Sequence, residues 1–144
     1  MSSHVFHDIY LHLNWHTQGD LPLLKPNIAR QVREFIQDRC SGTKGVYYLG
    51  IGGTPTHIHL LLKVEPFVCP SKLVGDLKGA SAREINARTR RQTLRWQRGF
   101  GIVSFAGKHL NGMLRYLARQ EKHHAAGTLK KTLERHTFEA PQAA

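Results

Sequence analysis

Val46-Tyr47-Tyr48-Leu49-Gly50-Ile51-Gly52-Gly53-Thr54-Pro55-Thr56-His57-Ile58-His59-Leu60-Leu61-Leu62-Lys63-Val64 reads as two strands and the connection between them. Val46 to Ile51 has the β-branched and aromatic content of a strand. Gly52-Gly53-Thr54-Pro55 has the composition of a tight turn. Thr56 to Val64 is the next strand. The connection is too short for a crossover, so the two strands run antiparallel. The Leu60-Leu61-Leu62 run marks the second of them as central and buried. Side chains alternate along a strand, so His57 and His59 share one face while Ile58 enters a core on the other. Imidazoles at the start of a buried strand are costly unless they have a task or a partner.

Outward from this hairpin, Val5 to Trp15 alternates in part, with Phe6, Ile9, Leu11, Leu13 and Trp15 against His4, His7, His12 and Asn14. That is a first strand. Asn27 caps an expected helix with Ile28, Val32, Phe35 and Ile36 at helical spacing. Past the hairpin, Ser71 caps a second helix through Leu73, Val74 and Leu77, reaching Ile85 after Gly79. A basic polar stretch, Arg88 to Arg98, precedes a fourth strand at Phe100 to Phe105. Lys108 to His124 is a third long helix, and Thr128 to His136 a short terminal one. The order is βαββαβ plus a C-terminal helix. That order fits an α+β fold, a ferredoxin-like antiparallel sheet with its helices on one face.

The chain has 144 residues, enough for one domain with a sizeable core. We read it as a single domain, with its core at about 5–124 and a tail at 125–144. Lys and Arg outnumber Asp and Glu by 21 to 10, a formal charge of +11. Such a surface attracts polyanions with a salt-dependent affinity. No apolar run approaches the roughly 20 residues of a membrane span. Residues 1–8 lack the form of a signal peptide. Cys40 and Cys69 make neither a CxxC pair nor a zinc spacing, so two thiols in a reducing cytosol are expected.

Tyr116 and Gln120 stand four residues apart, on one face of the third long helix, beside an apolar side of Leu110, Met113, Leu114 and Leu117. A Tyr there is ordinarily packing, with its hydroxyl at a rim. Set beside His57 and His59, however, the four side chains make a different combination. They can hold a divalent metal next to a phenol nucleophile. His123 and His124 follow one turn on, either as further ligands or as a solvated helix end. Lys78, Arg83, Arg88, Arg90, Arg91, Arg95 and Arg98 surround Trp96. This is a mix of phosphate contacts and a stacking ring, or else a solvated face around a core tryptophan.

His57-Ile58-His59, Leu73-Val74-Gly75-Asp76-Leu77-Lys78-Gly79, Trp96-Gln97-Arg98-Gly99-Phe100 and Tyr116-Leu117-Ala118-Arg119-Gln120 occur in an order and spacing that resemble the single-tyrosine HUH transposases, the IS200-like group. The resemblance runs from about Val5 to His124. It implies a metal held by His57, His59 and Gln120, a nucleophilic Tyr116, and single-stranded DNA with a hairpin as substrate. It further implies a homodimer whose active sites can be shared between subunits, in a prokaryotic cytoplasm. Lys78, Arg83, Trp96 and Arg98 become the expected DNA contacts. Three departures touch DNA contacts and ligand surroundings more than the chemistry. His16-Thr17-Gln18-Gly19-Asp20 stands where relatives are basic, Thr56 precedes the first motif histidine, and Arg119 precedes the glutamine.

The ligand set is neutral, so Mg²⁺ or Mn²⁺ would keep its charge for a phosphate. Imidazole donors suit Mn²⁺ at least as well, and zinc lacks a third His, Cys or carboxylate nearby. The expected activity is therefore metal-assisted DNA cleavage and rejoining through a 5′-phosphotyrosine. Three other readings compete with it. One is a domesticated relative acting on repeated hairpins. Another is a single-strand binding module without catalysis. The last is a metal-dependent hydrolase, for which only Asp8, Asp76 and Glu121 offer carboxylates.

Overall fold

A computed structural model describes residues 4–120. Its centre is the hairpin of β2 (Val46–Thr54) and β3 (His57–Val64), paired antiparallel with Thr54 opposite His57. Only Pro55 and Thr56 remain as the loop. β3 also pairs antiparallel with β1 (Ile9–His16), and β1 with β4 (Gly101–Phe105). The strand order is β2-β3-β1-β4. This is the expected α+β, ferredoxin-like arrangement, an antiparallel sheet with β1 and β3 at its centre.

α1 (Pro26–Ser41) and α2 (Pro70–Thr89) cover one face. Val32 and Ile36 of α1, and Leu73, Val74, Leu77 and Ile85 of α2, pack on Leu11, Leu13, Trp15, Ile58, Leu60 and Leu62 of the central strands. Each helix begins with proline, whose missing N–H costs nothing in a first turn. The boundaries therefore precede the expected caps Asn27 and Ser71. α2 also runs past Gly79 to Thr89, because Ala80, Ser81 and Ile85 continue its buried side.

α3 (Leu110–Ala118) follows a 3₁₀ turn at Gly107–His109 and lies on the opposite face. There Tyr116 and Leu117 pack with Leu61. The expectation of all helices on one face is thus corrected. The Leu60-Leu61-Leu62 run already implied this, since such a run buries both faces of its strand: Leu60 and Leu62 meet α1 and α2, and Leu61 meets α3. The terminal helix expected at 128–136, and His123, His124 and Glu121, lie outside the described residues. Among the described residues no helix is long and apolar enough to cross a membrane.

One irregularity prepares the second face. A bulge between Tyr48 and Gly50 inserts Leu49 into β2. Beyond it Ile51 faces the α1–α2 core, while Gly50 and Gly52 fall beneath α3. Were Leu49 paired in the ladder instead of bulged, the alternation would reverse and place Ile51 beneath α3.

Candidate active site

Register places the polar side chains of the α3 face in rows. His57 lies between Thr54 on β2 and His16 on β1. His59 lies between Gly52 and Asn14, and Asn14 is next to Gly101 of β4. Leu61 lies between Gly50 and His12, with Val103 beyond. Three imidazoles and a carboxamide therefore sit almost fully buried at the middle of a sheet. His12, Asn14 and His59 are at most 1% exposed, and His57 is 2%. Burial on this scale requires hydrogen-bond partners.

For His57 the partners come from the hairpin loop. Its Nδ1 lies 3.1 Å from Thr54 Oγ1 and 3.0 Å from Thr56 Oγ1, and the two hydroxyls lie 3.2 Å apart. Thr56 thus supplies a hydroxyl at the position where a departure from the resemblance was noted. The other face of the ring stacks on His16, with centroids 4.4 Å apart and planes 11° from parallel. His16 in turn bonds Asp20 through Nδ1 at 2.6 Å, so the second departure places a carboxylate behind this pair. For His59, Nδ1 lies 2.7 Å from His12 Nε2. Both motif histidines thus have Nδ1 engaged by a side chain of the same sheet.

α3 comes close to β2 because β2 presents glycines to it at positions 50 and 52. A Cβ on Gly50 would lie 2.5 Å from Leu114 Cδ2, and one on Gly52 would lie 2.8 Å from the Leu117 carbonyl oxygen. Leu114 thus sits over the row of Leu61, and Leu117 over the row of His59. The helix advances about 4.5 Å in three residues, and the strand about 6.8 Å in two. α3 ends at Ala118, and Gln120 lies two residues beyond it. Tyr116 is 4% exposed and Gln120 1%. His57, His59 and Tyr116 therefore belong to one face of the sheet, and Gln120 is buried.

The donor set is open. Among the described residues no three His, Cys, Asp or Glu side chains converge as a metal site. Two imidazoles with ordered Nδ1 partners and a buried carboxamide are a fitting set for a hard or borderline divalent ion that keeps other positions for substrate.

The expected DNA contacts divide. Arg83 and Arg98 are exposed. Lys78 is half-buried, and its ammonium donates to the carbonyls of Gln97 at 2.6 Å and Gly99 at 2.9 Å. Desolvation holds its pKa below the ordinary lysine value. Trp96 donates Nε1–H to Ser81 Oγ at 2.9 Å and meets Trp15 edge-on at 6.0 Å. Lys78 and Trp96 thus fasten the segment 95–99 to α2. Backbone bonds from Gln18 N to Arg95 O and from Gln97 N to His16 O fasten it to the histidine end of β1. The fastening leaves Arg95 and Arg98 exposed beside that end.

Sequence reasoning gives His12 and Asn14 no role beyond the polar side of β1 and sets His16 in the segment that departs from the resemblance. The signal was their i, i+2, i+4 spacing between Leu11, Leu13 and Trp15. In a ferredoxin-like sheet the first strand pairs with the third. A polar face on one must then oppose the histidines of the other.

Comparison with known proteins agrees with this architecture. No curated protein matches the chain. A crystal structure of a candidate transposase from Deinococcus radiodurans R1 superposes with a TM-score of 0.65 at 20% identity, covering 83% of this chain and 96% of that one. A REP-associated tyrosine transposase bound to a REP hairpin superposes with a TM-score of 0.61 at 12% identity, covering 86% of this chain and 74% of the other. At these identities the likeness establishes the fold. The family model described as "Transposase IS200 like" matches residues 5–120, and the chain belongs to that family.

Proposed function

We propose that the chain cuts and rejoins single-stranded DNA through a covalent bond to Tyr116. The observation that supports this is the seating of the tyrosine helix on Gly50 and Gly52, which puts Tyr116 on the face of His57 and His59. In the proposed step Tyr116 Oη attacks phosphorus and the P–O3′ bond breaks. The tyrosine gives up its proton, and the leaving oxygen gains one to become a 3′-hydroxyl. The phosphoester bond energy is kept in the 5′-phosphotyrosine, so a second 3′-hydroxyl rejoins the strand by the reverse reaction without ATP.

His57 and His59 through Nε2, with Gln120, would hold Mg²⁺ or Mn²⁺. When bound, such an ion polarises a nonbridging phosphate oxygen and fixes the scissile phosphate. The threonine hydroxyls would orient the His57 ring. Burial excludes water from the tyrosine, which favours transfer to a 3′-hydroxyl over hydrolysis. An ordinary tyrosine has a pKa of about 10, so Tyr116 needs neighbouring positive charge to ionise near neutral pH.

The neighbour bound to a REP hairpin supports a hairpin as the DNA partner here. Exposed Arg83, Arg95 and Arg98 supply phosphate contacts beside the histidine end of β1. The homodimer implied by the resemblance belongs to the proposal. In the single chain α3 already lies over its own β2, so each subunit carries a full set of side chains. The test is adduct formation on a labelled hairpin oligonucleotide with Mn²⁺. His57→Ala and His59→Ala are expected to abolish the adduct while leaving salt-dependent DNA binding. Adducts at the wild-type rate in both variants would overturn the metal assignment.

A further inference from the structure

We infer that His12 is the positioning residue for His59, setting which of its nitrogens carries the proton and therefore which can bind a cation. The inference rests on the proposed metal role of His59 and adds a residue to which no role has been given. The two rings lie 3° from parallel, with centroids 4.9 Å apart. The Nε2 to Nδ1 separation is 2.7 Å. The centroid separation exceeds the nitrogen separation by about two ring radii. The rings therefore meet end to end in a common plane rather than face to face. This is the geometry of a well-aligned hydrogen bond, because the imidazole N–H and lone pair both lie in the ring plane.

Such a bond allows two placements of its proton. If His12 Nε2–H donates, His59 Nδ1 is the acceptor, and a neutral His59 carries its proton on Nε2. That ring has no lone pair to offer a cation at Nε2. If His59 Nδ1–H donates, His12 Nε2 is the acceptor, and His59 Nε2 presents its lone pair. Only the second placement is compatible with ligation. In that placement His12 is the acceptor, the part a carbonyl or carboxylate plays behind most metal-bound histidines, and it carries its own proton on Nδ1. An imidazole is a weaker acceptor than a carboxylate and adds no charge. The site thus keeps its ligands neutral, and the full charge of the cation remains for the phosphate. The position is built into the sheet: His12 pairs with Leu61, two residues from His59 on the same face, so the contact is diagonal across β1 and β3.

His57 is oriented by different chemistry, the hydroxyls of Thr54 and Thr56. The two ligands are therefore separable by mutation. Removing the acceptor behind His59 should weaken the cation without touching His57.

The test uses two readouts on the full chain. In the first, ¹⁵N-edited NMR of the metal-free wild type reads the proton position on each histidine ring. His59 is expected as the Nδ1–H form, and an Nε2–H form would overturn the inference without any variant. In the second, Mn²⁺ affinity is measured from the electron paramagnetic resonance signal of unbound Mn²⁺. His12→Phe is expected to lose about 10–100-fold in affinity, the usual cost of removing the group behind a ligating histidine. His12→Gln, which keeps an acceptor oxygen, should recover most of the loss at a similar melting temperature. Affinity in His12→Phe within twofold of wild type would overturn the inference, as would an equal loss in His12→Gln. If the wild type binds no Mn²⁺, the metal reading itself fails, and the NMR result alone decides whether His12 orients His59.

Discussion

Gly52→Ala probes how the tyrosine helix is seated. The new Cβ would lie 2.8 Å from the Leu117 carbonyl oxygen and 3.1 Å from Leu117 Cβ. Ordinary van der Waals contact begins near 3.4 Å, so α3 must retreat from β2 by about half an ångström or more. The obstacle is backbone, which cannot rotate away as a side-chain tip would. Overpacking of this kind costs roughly 1–3 kcal/mol, partitioned between lost stability and displacement of the helix. Displacement moves Tyr116 and Gln120 together relative to His57 and His59. A misplacement approaching 1 Å at a reacting group is worth about 100-fold in rate. The expected result is a fall of about 10–100-fold in the rate of adduct formation at saturating DNA and Mn²⁺. Affinity for the oligonucleotide should change little, because the exposed arginines lie elsewhere. The assay is a single-turnover time course on a denaturing gel, at a temperature where circular dichroism shows the variant folded. A rate within threefold of wild type in a folded variant would refute the reasoning, since it would mean that the contact of α3 with β2 does not position the tyrosine.

Four further outcomes follow from the described contacts. Gly79 lies exposed inside α2 with nothing within 4 Å of an added Cβ, so Gly79→Ala should stabilise the fold by about 0.5–1 kcal/mol in denaturant titration; destabilisation would contradict an open helix surface there. Burial pushes the Cys40 thiol up to about 12 while Cys69 is exposed, so a thiol reagent at pH 8 should label one cysteine in the native protein and two after denaturation. The same shift makes the unfolded state lose this proton first, and stability should therefore decline as pH rises above the ordinary thiol value of about 8.5, a trend that Cys40→Ala should reduce. Asp76 accepts bonds of 2.8 and 2.9 Å from the Arg39 guanidinium, which holds its carboxyl below the usual range. Its contribution is present above the unfolded Asp value of about 3.9 and lost as pH falls through the lower folded value. Asp76→Asn should therefore melt slightly below wild type at pH 6 and level with it near pH 2, and a gap that widens in acid would contradict the assignment.

Much of the fold could be read from particular residues. The hairpin is marked by Gly52-Gly53-Thr54-Pro55, though the turn is tighter than that composition suggests, since Gly52, Gly53 and Thr54 pair within β2 and only Pro55 and Thr56 form the loop; the leucine run makes β3 central. What escaped was nonlocal. The bulge at Leu49 leaves no mark in a composition that already reads as strand, yet it decides that glycines rather than Ile51 lie under α3. The side of the sheet taken by α3 depends on Leu61, one leucine among three. His57, His59, Tyr116 and Gln120 stand out in the sequence as candidates because the spacing of each pair suits one face of a strand or of a helix. His12, Asn14 and His16 do not, because their meaning comes only from pairing with a strand some forty residues away. Trp96 and Lys78 looked like DNA contacts by residue type. Their hydrogen bonds to Ser81, Gln97 and Gly99 arise from how the segment after α2 folds back, which no local pattern shows.

The central claim is that Tyr116 becomes covalently joined to DNA. The direct measurement incubates the protein with a labelled single-stranded hairpin oligonucleotide and Mn²⁺ or Mg²⁺, then separates the products under denaturing conditions. Wild type is expected to give a metal-dependent protein–DNA adduct, and Tyr116→Phe to give none while still binding the hairpin. Cleavage that persists in Tyr116→Phe would mean that water is the nucleophile, and it would contradict the account.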